Sequence, residues 1–112
     1  MLNKVMLVAK MLDDIKEIKK TDDGIKYAQM KIGIPKSSTA KITEDNSFVV
    51  HCVLFEDVIK NMDKKCKKGA IIGIEGKLGS TSDSELVLVL DKVILLAQRE
   101  MTNKKTNKDV AR

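Results

Sequence analysis

The chain has 112 residues, of which 43% are hydrophobic and only 3% aromatic, and it carries a formal net charge of +5. This length suits one domain, and the apolar fraction indicates a folded domain with an aliphatic core rather than a disordered chain. No apolar run is long enough to span a bilayer, and Lys4 and Lys10 interrupt the apolar N-terminal stretch. We therefore predict neither a membrane span nor a signal peptide.

Most of the positive charge lies at the C-terminal end of the sequence. Residues 101–112 contain four basic residues against Asp109, whereas residues 1–100 contain 17 basic and 15 acidic residues. The global charge is therefore weak evidence for a nucleic-acid partner. Residues 98–112 are polar, and we predict that they form a basic, disordered tail outside a folded domain of residues 1–97.

The first 24 residues predict a long strand followed by a turn. Residues 1–12, MLNKVMLVAKML, alternate imperfectly, which is typical of a curved strand buried on both faces for part of its length. Residues 15–21, IKEIKKT, extend this pattern as an exposed strand with Ile15 and Ile18 directed inward. The signal DDG at residues 22–24 then predicts a turn, with glycine at the position that requires a positive φ.

Residues 25–34, IKYAQMKIGI, show the clearest strand pattern of the chain. One face is apolar and is predicted to join the core: Ala28, Met30, Ile32 and Ile34. The opposite face carries an aromatic ring and a cation among its residues: Tyr27, Gln29, Lys31 and Gly33. Pro35 ends this strand because proline has no N–H to donate, and residues 36–47 are predicted to form a polar loop.

The middle of the chain predicts a strand that leads directly into a short helix. Residues 48–55 form the strand, with one face made of Val49, His51, Val53 and Phe55. From Phe55 the apolar spacing becomes helical, through Val58, Ile59, Met62 and Cys66. We expect this helix to end at Gly69, with four cations in its last turn: Lys64, Lys65, Lys67 and Lys68.

Two further strands are predicted at residues 70–78 and 85–97, joined by the turn GSTSDS. The last strand is aliphatic on both faces, as in a central strand or in half of a subunit interface. The order β–β–β, helix, β–β is that of an all-β, five-stranded OB-fold, a Greek-key barrel with one short helix between the third and fourth strands. An open sheet with the same elements also fits the pattern.

The polar residues predict no catalytic or metal centre. Cys52 and Cys66 have neither the spacing nor the histidine partners of a zinc site, so we expect two buried free thiols in a reducing cytoplasm. His51 is a lone histidine without a nucleophile or a paired carboxylate at a recognisable spacing. We therefore expect no enzyme activity, no cofactor and no metal.

Three blocks of the sequence resemble the bacterial single-stranded DNA-binding protein family. They are MLNKVMLVAKM at the start, DDGIKYAQMKIGI at the second strand, and VVHCVLFEDVIKNMDKKCKKGAIIGIEGKL across the helix. The resemblance covers residues 1–96 in register and implies an OB-fold that binds single-stranded DNA without sequence preference in replication, recombination or repair. It also implies a homodimer or homotetramer, with replication or repair proteins as further partners.

The resemblance implies a basic groove in which bases stack on aromatic side chains. Phe55 stands where the family has a stacking aromatic residue, although it also begins the apolar stripe of the predicted helix. The other predicted DNA-binding residues are His51, Val49, Lys31, Tyr27, Lys10, Lys36, Lys41, Lys68 and Lys77.

The sequence departs from the family pattern at three places. Val49 replaces an aromatic residue of the third strand, the hairpin GSTSDS lacks the usual long arm, and the tail is basic where the family ends in an acidic peptide. The first two departures predict weaker DNA binding or a smaller site. The alternative function is an OB-fold protein-interaction subunit that resembles a primosome accessory protein and binds nucleic acid weakly.

Overall fold

The computed structural model describes residues 2–36 and 47–98 of the chain. These residues form six strands and one helix: β1 (Val5–Met11), β2 (Lys19–Lys20), β3 (Lys26–Pro35), β4 (Ser47–Phe55), α1 (Glu56–Asn61), β5 (Ile71–Ser80) and β6 (Leu86–Ala97). The predicted loop at residues 36–47, apart from its two ends, and the predicted tail beyond residue 98 lie outside the described residues. Within the described part of the chain, no helix is long and apolar enough to cross a membrane.

Five of the strands close into a barrel in the order β1-β5-β6-β4-β3, and β3 pairs again with β1. The closing contact is short and antiparallel, with Lys10 opposite Gly33 and Met11 opposite Ile32. Strands β4 and β6 pair in parallel, whereas the other neighbours are antiparallel. The predicted five-stranded OB-fold barrel is therefore confirmed, and the open-sheet alternative is wrong because β1 bonds to strands at both ends of the sheet.

The core of the barrel is aliphatic, as the low aromatic content predicts. Its largest fully buried side chains are Met11, Met30, Ile32, Leu54, Ile72, Leu88, Leu90 and Cys52. Along β3 the buried residues alternate with outward ones, so that Ala28, Met30 and Ile32 reach the core as predicted. The same alternation fixes which side chains of β3 and β4 point away from the core.

The helix is shorter than its apolar spacing predicts. It ends at Asn61, and the four predicted last-turn lysines lie in the turns after it. Asp63 explains the early end, since its Oδ1 accepts a hydrogen bond of 2.8 Å from the Lys65 backbone N–H. A side chain that captures a nearby backbone donor in this way competes with helical hydrogen bonds.

The apolar part of the helix prediction is nevertheless correct. Val58 is buried, and Ile59, Met62 and Cys66 pack against the core although the last two lie beyond the helix. Gly69 adopts the left-handed conformation expected of it, with φ of 95°, and leads the chain into β5.

The exposed strand predicted at residues 15–21 is wrong for most of its length, since only Lys19 and Lys20 pair with β3. Two aspartates hold the preceding segment by side-chain hydrogen bonds instead. Asp13 Oδ2 accepts from the Lys31 backbone N–H at 3.0 Å, and Asp14 Oδ1 accepts from the Lys68 backbone N–H at 2.6 Å. These side-chain hydrogen bonds attach the segment to β3 and to the turn before β5 without strand pairing.

Strands β5 and β6 form the longest ladder, and its register shifts between Glu75 and Gly76. At this bulge a Cβ atom on Gly76 would clash with the Val89 carbonyl oxygen and would stand 3.1 Å from the Leu90 Cα. Because both neighbours are backbone atoms, they cannot move aside without disturbing the ladder. Glycine at residue 76 is therefore required by the close approach of the two strands.

We predict that Gly76→Ala lowers the free energy of unfolding by roughly 3 kcal/mol, because the new methyl group would displace the β6 backbone. Gly73→Ala is the matched control on the same strand, since a Cβ there would meet only the flexible Leu96 side chain, with its Cδ1 at 3.6 Å. Urea denaturation of the two variants measures the difference. Equal losses of stability would contradict the close approach at residue 76.

Candidate nucleic-acid interface

The outward side chains of β3 and β4 form one continuous surface, which we call the outer strip. The register places Tyr27 opposite Phe55, Gln29 opposite Val53, Lys31 opposite His51 and Gly33 opposite Val49. Side chains on directly opposed residues of antiparallel strands lie within contact range of each other. The structure therefore brings together five of the residues predicted to bind DNA: Tyr27, Lys31, Val49, His51 and Phe55.

An aromatic pair occupies one end of the outer strip. The Tyr27 and Phe55 ring centroids lie 6.4 Å apart with an interplanar angle of 55°, and both side chains are half-buried. The backbone of Phe55 is extended, with φ of −86° and ψ of 168°, so its side chain follows the strand alternation and precedes the helix. Phe55 is therefore placed on the outer strip and is not part of the buried core cluster.

Lys19 joins this aromatic end, although the sequence analysis did not select it. It lies opposite Tyr27 in the β2–β3 register, and its Nζ donates a hydrogen bond of 3.1 Å to Gln29 Oε1. The row Lys19, Tyr27, Phe55 thus sets a cation beside two rings. The predicted turn at residues 22–24 could have identified Lys19 from the sequence, because counting residues outward from this turn pairs Lys19 with Tyr27.

The middle of the outer strip is basic and is bordered by one carboxylate. Lys31 is half-buried and His51 is exposed, and the closing register of the barrel places Lys10 beside Gly33. Asp13 reaches the edge of the strip, where its Oδ2 accepts a hydrogen bond from the Lys31 backbone N–H. The outward positions of β3 and β4 themselves carry no acidic residue, so this surface favours a polyanion.

The outer strip continues across the barrel to Lys77. Val53 pairs with Val89 of β6, and Val89 pairs in turn with Lys77 of β5. Because neighbouring strands lie about 5 Å apart, Lys77 stands roughly 15 Å from Gln29 along this row. Lys77 is exposed and extends the basic surface beyond the two central strands.

Two other predicted residues, Lys36 and Lys68, are not on this surface. Lys36 follows the end of β3, where its Nζ lies 5.8 Å from the ring centroid of Phe48, an exposed side chain outside the outer strip. Lys68 lies in the turn before β5, with its backbone N–H bonded to Asp14. Lys41 lies outside the described residues.

The family model of the single-strand binding protein family matches residues 2–85. The chain is 29% identical over 80 residues to single-stranded DNA-binding protein 1 of Staphylococcus aureus (strain COL), which is 71% of this chain and 47% of that protein. It is 28% identical over 78 residues to single-stranded DNA-binding protein 2 of Streptococcus pyogenes serotype M18 (strain MGAS8232), covering 70% and 47% respectively. The chain thus spans about half the length of the curated relatives it matches.

Two solved structures share the fold. The dimeric N-terminal domain of the PriB protein from Thermoanaerobacter tencongensis superposes with a TM-score of 0.66 at 19% identity, over 84% of this chain and 96% of that chain. The mitochondrial single-stranded DNA binding protein of S. cerevisiae gives a TM-score of 0.67 at 17% identity, over 87% and 98%. At these identities the likeness concerns the fold alone.

The outer strip contains polar groups but no recognisable catalytic arrangement. Among residues 2–36 and 47–98, no three His, Cys, Asp or Glu side chains lie close enough to hold a metal ion. Burial raises the pKa of the Cys52 thiol to about 12, and burial also raises the pKa of Cys66. Both thiols are therefore protonated at neutral pH, and a protonated thiol is a poor nucleophile.

We predict that iodoacetamide leaves Cys52 unmodified in the folded protein at pH 8, because this thiol is 1% exposed and its pKa lies well above that pH. Mass spectrometry of digested protein would show the modification at each cysteine, with urea-unfolded protein as the control in which both react. Rapid alkylation of Cys52 in the folded protein would contradict the buried, protonated thiol.

Proposed function

Because the chain belongs to the single-strand binding protein family, we propose that it binds single-stranded DNA on its outer strip without sequence preference. The observation that carries this proposal is the placement of the Tyr27–Phe55 ring pair and the Lys31–His51 pair on one outward face. Rings provide stacking surfaces for bases, and the adjacent Lys31 ammonium group contacts the phosphates that connect those bases.

The binding mechanism follows from the chemistry of the two kinds of contact. A base stacks on Phe55 or Tyr27 whatever its identity, since every base has a π-face. Lys19, Lys31 and Lys10 then contact the backbone phosphates, and Lys77 extends this contact across the barrel. Phosphate contacts release counterions, so the affinity should fall steeply as the salt concentration rises.

The outer strip offers few rings for stacking, which supports a small DNA-binding site or a weak affinity for DNA. Val49 lies opposite Gly33 and is 43% exposed, so it offers apolar surface without a ring on which a base can stack. The stacking surface is therefore concentrated at the Tyr27–Phe55 end. We infer that binding is weak at physiological salt and that it protects single strands during replication, recombination or repair in the cytoplasm, with no catalytic step.

We predict that labelled oligo-dT binds in preference to an equal-length duplex and that Phe55→Ala weakens this binding by roughly 1–3 kcal/mol, or about five- to 150-fold in Kd. Phe48→Ala is the matched control, because Phe48 is an exposed ring outside the outer strip. Fluorescence anisotropy at low and moderate salt gives Kd, and thermal unfolding checks that each variant is folded.

Each opposing result has a defined meaning. Loss of affinity in Phe48→Ala but not in Phe55→Ala would move the stacking surface to the far end of the β3–β4 hairpin. Binding that does not change between low and high salt would contradict the phosphate contacts. Absence of single-strand binding even at low salt would favour the alternative, a protein-interaction subunit.

A second surface supports assembly into a homodimer or homotetramer. Four exposed apolar side chains form an apolar patch on the outer face of β1 and β6: Met6, Val8, Ile94 and Leu96. The register makes the patch contiguous, since Val8 and Ile94 both lie opposite Gly73 of β5. A patch of this kind marks an interaction surface.

Two features of the patch fit a second copy of the same chain. Among residues 2–36 and 47–98, Val5–Val8 of β1 pair only with β5, which leaves their other backbone edge available to an identical strand. Beside the patch, the Lys4 Nζ lies 2.8 Å from Glu75 Oε2. Lys92 of β6 lies opposite Glu75 of β5 in the strand register. A border with both signs of charge can complement itself across a twofold axis.

We predict that the double variant Val8→Asp with Ile94→Asp shifts the protein to a monomer, because each carboxylate would lose its hydration inside the interface. Ile25→Asp is the control, since Ile25 is 50% exposed in the turn before β3 and lies outside the patch. Light scattering coupled to size-exclusion chromatography measures the mass. A monomeric wild-type protein at the same concentration would contradict the proposed assembly.

A further inference from the structure

A groove runs between the β2–β3 hairpin and helix α1. Its volume is about 440 Å³, and its lining residues are Ile18, Lys20, Lys26, Glu56, Ile59 and Lys60. Lys20 lies opposite Lys26, whereas its neighbour Lys19 lies opposite Tyr27. Because successive residues of a strand point to opposite faces, this hairpin–helix groove and the outer strip occupy opposite sides of the hairpin.

The floor of the hairpin–helix groove is aliphatic. Ile18 is 50% exposed on one side, and Ile59 on the other side is half-buried and packs against the core. Water in contact with these side chains would be released when an apolar group replaced it. The floor therefore suits a ligand that brings one or two apolar side chains.

The rim of the groove has an excess of positive charge. Three lysines stand against one carboxylate, that of Glu56, which lies 3.8 Å from Lys26 Nζ and 3.7 Å from Lys60 Nζ. Both ion pairs are long, and one carboxylate cannot neutralise two ammonium groups. Lys20 makes no ion pair with any residue that the structure describes, so its charge is available to a ligand.

We propose that the hairpin–helix groove binds a short acidic segment of a partner protein that also carries an apolar side chain. Its carboxylates pair with Lys20 and Lys60 on the rim, and its apolar side chain covers Ile18 and Ile59. The chain's own residues 101–112 do not complement this rim, because they contain four basic residues and one acidic residue. This inference is independent of whether the outer strip binds DNA.

A nucleic acid fits the same groove less well. Bases stack on aromatic rings, and no aromatic residue of the described part of the chain lines the groove. Glu56 would also repel a phosphate in the middle of the rim, whereas a peptide can place its carboxylates to either side of Glu56 and its backbone N–H groups towards it. Charge and shape together favour the peptide.

The probe is a short fluorescein-labelled peptide of alternating aspartate and leucine residues, titrated with the full chain and followed by anisotropy. The double variant Lys20→Glu with Lys60→Glu should weaken peptide binding about tenfold or more, because two attractive contacts become repulsive. Ile18→Ser should weaken it severalfold, since it removes half of the apolar floor. A peptide of alternating aspartate and serine should bind more weakly than the leucine probe for the same reason.

The matched control is Lys64→Glu with Lys65→Glu, which makes the same change in net charge at two exposed lysines outside the groove. This variant should bind the leucine probe as the wild type does. Equal losses in the two double variants would overturn the proposal, since the peptide would then respond only to overall charge. Absence of wild-type binding at low salt would also overturn it.

A competition experiment separates the groove from the outer strip. Saturating unlabelled oligo-dT should leave peptide binding intact, and Lys20→Glu with Lys60→Glu should retain the oligo-dT affinity of the wild type. Displacement of the peptide by oligo-dT, together with loss of oligo-dT binding in this variant, would assign the groove to nucleic acid and reject the peptide site. Failure of oligo-dT to bind at all would reject only the proposed DNA function.

Discussion

Closure of the barrel depends on strand β1, which pairs with β5 and also with β3 at the other end of the sheet. Strand β1 pairs with β5 through residues Val5–Lys10 and reaches β3 only at Lys10 and Met11. The backbone of Leu12 continues this contact by donating a hydrogen bond of 2.9 Å to the Lys31 carbonyl oxygen. Without this closure the part of β3 around Ile32 and Gly33 would be an edge, and the orientation of its outward side chains would be set less firmly.

Closure of the barrel turns the alternation of inward and outward side chains into distinct outward surfaces. Along β3 and β4 the residues that enter the core alternate with residues that point outward, so the same hydrophobic packing that stabilises the domain also assembles the outer strip. The apolar patch on β1 and β6 arises in the same way. The proposed DNA-binding surface and the proposed interface between copies therefore use different outward side chains.

The sequence predicts best where one physical rule acts alone. Alternation with period two correctly placed Tyr27, Lys31, His51 and Phe55 on one face, because burial of Met30 and Leu54 leaves β3 and β4 no other orientation. The end of the helix was missed because it depends on the Asp63 side chain, which has no effect on apolar spacing. Residues joined by pairing across a turn, such as Lys19 and Tyr27, require a register that periodicity alone does not provide.

The length of the turn between β2 and β3 affects both the outer strip and the hairpin–helix groove, because Lys19 and Lys20 of β2 point to opposite sides of the hairpin. The turn is held by the Thr21 N–H, which donates to the Ile25 carbonyl oxygen, and by the Gly24 N–H, which donates to the Thr21 carbonyl oxygen, both at 2.9 Å. Insertion of a single residue there would shift the register by one and exchange Lys19 with Lys20. Side-chain substitutions in this turn outside Gly24, whose φ is 85°, would leave the register intact, whereas a change in the length of the turn would remodel both the strip and the groove at once.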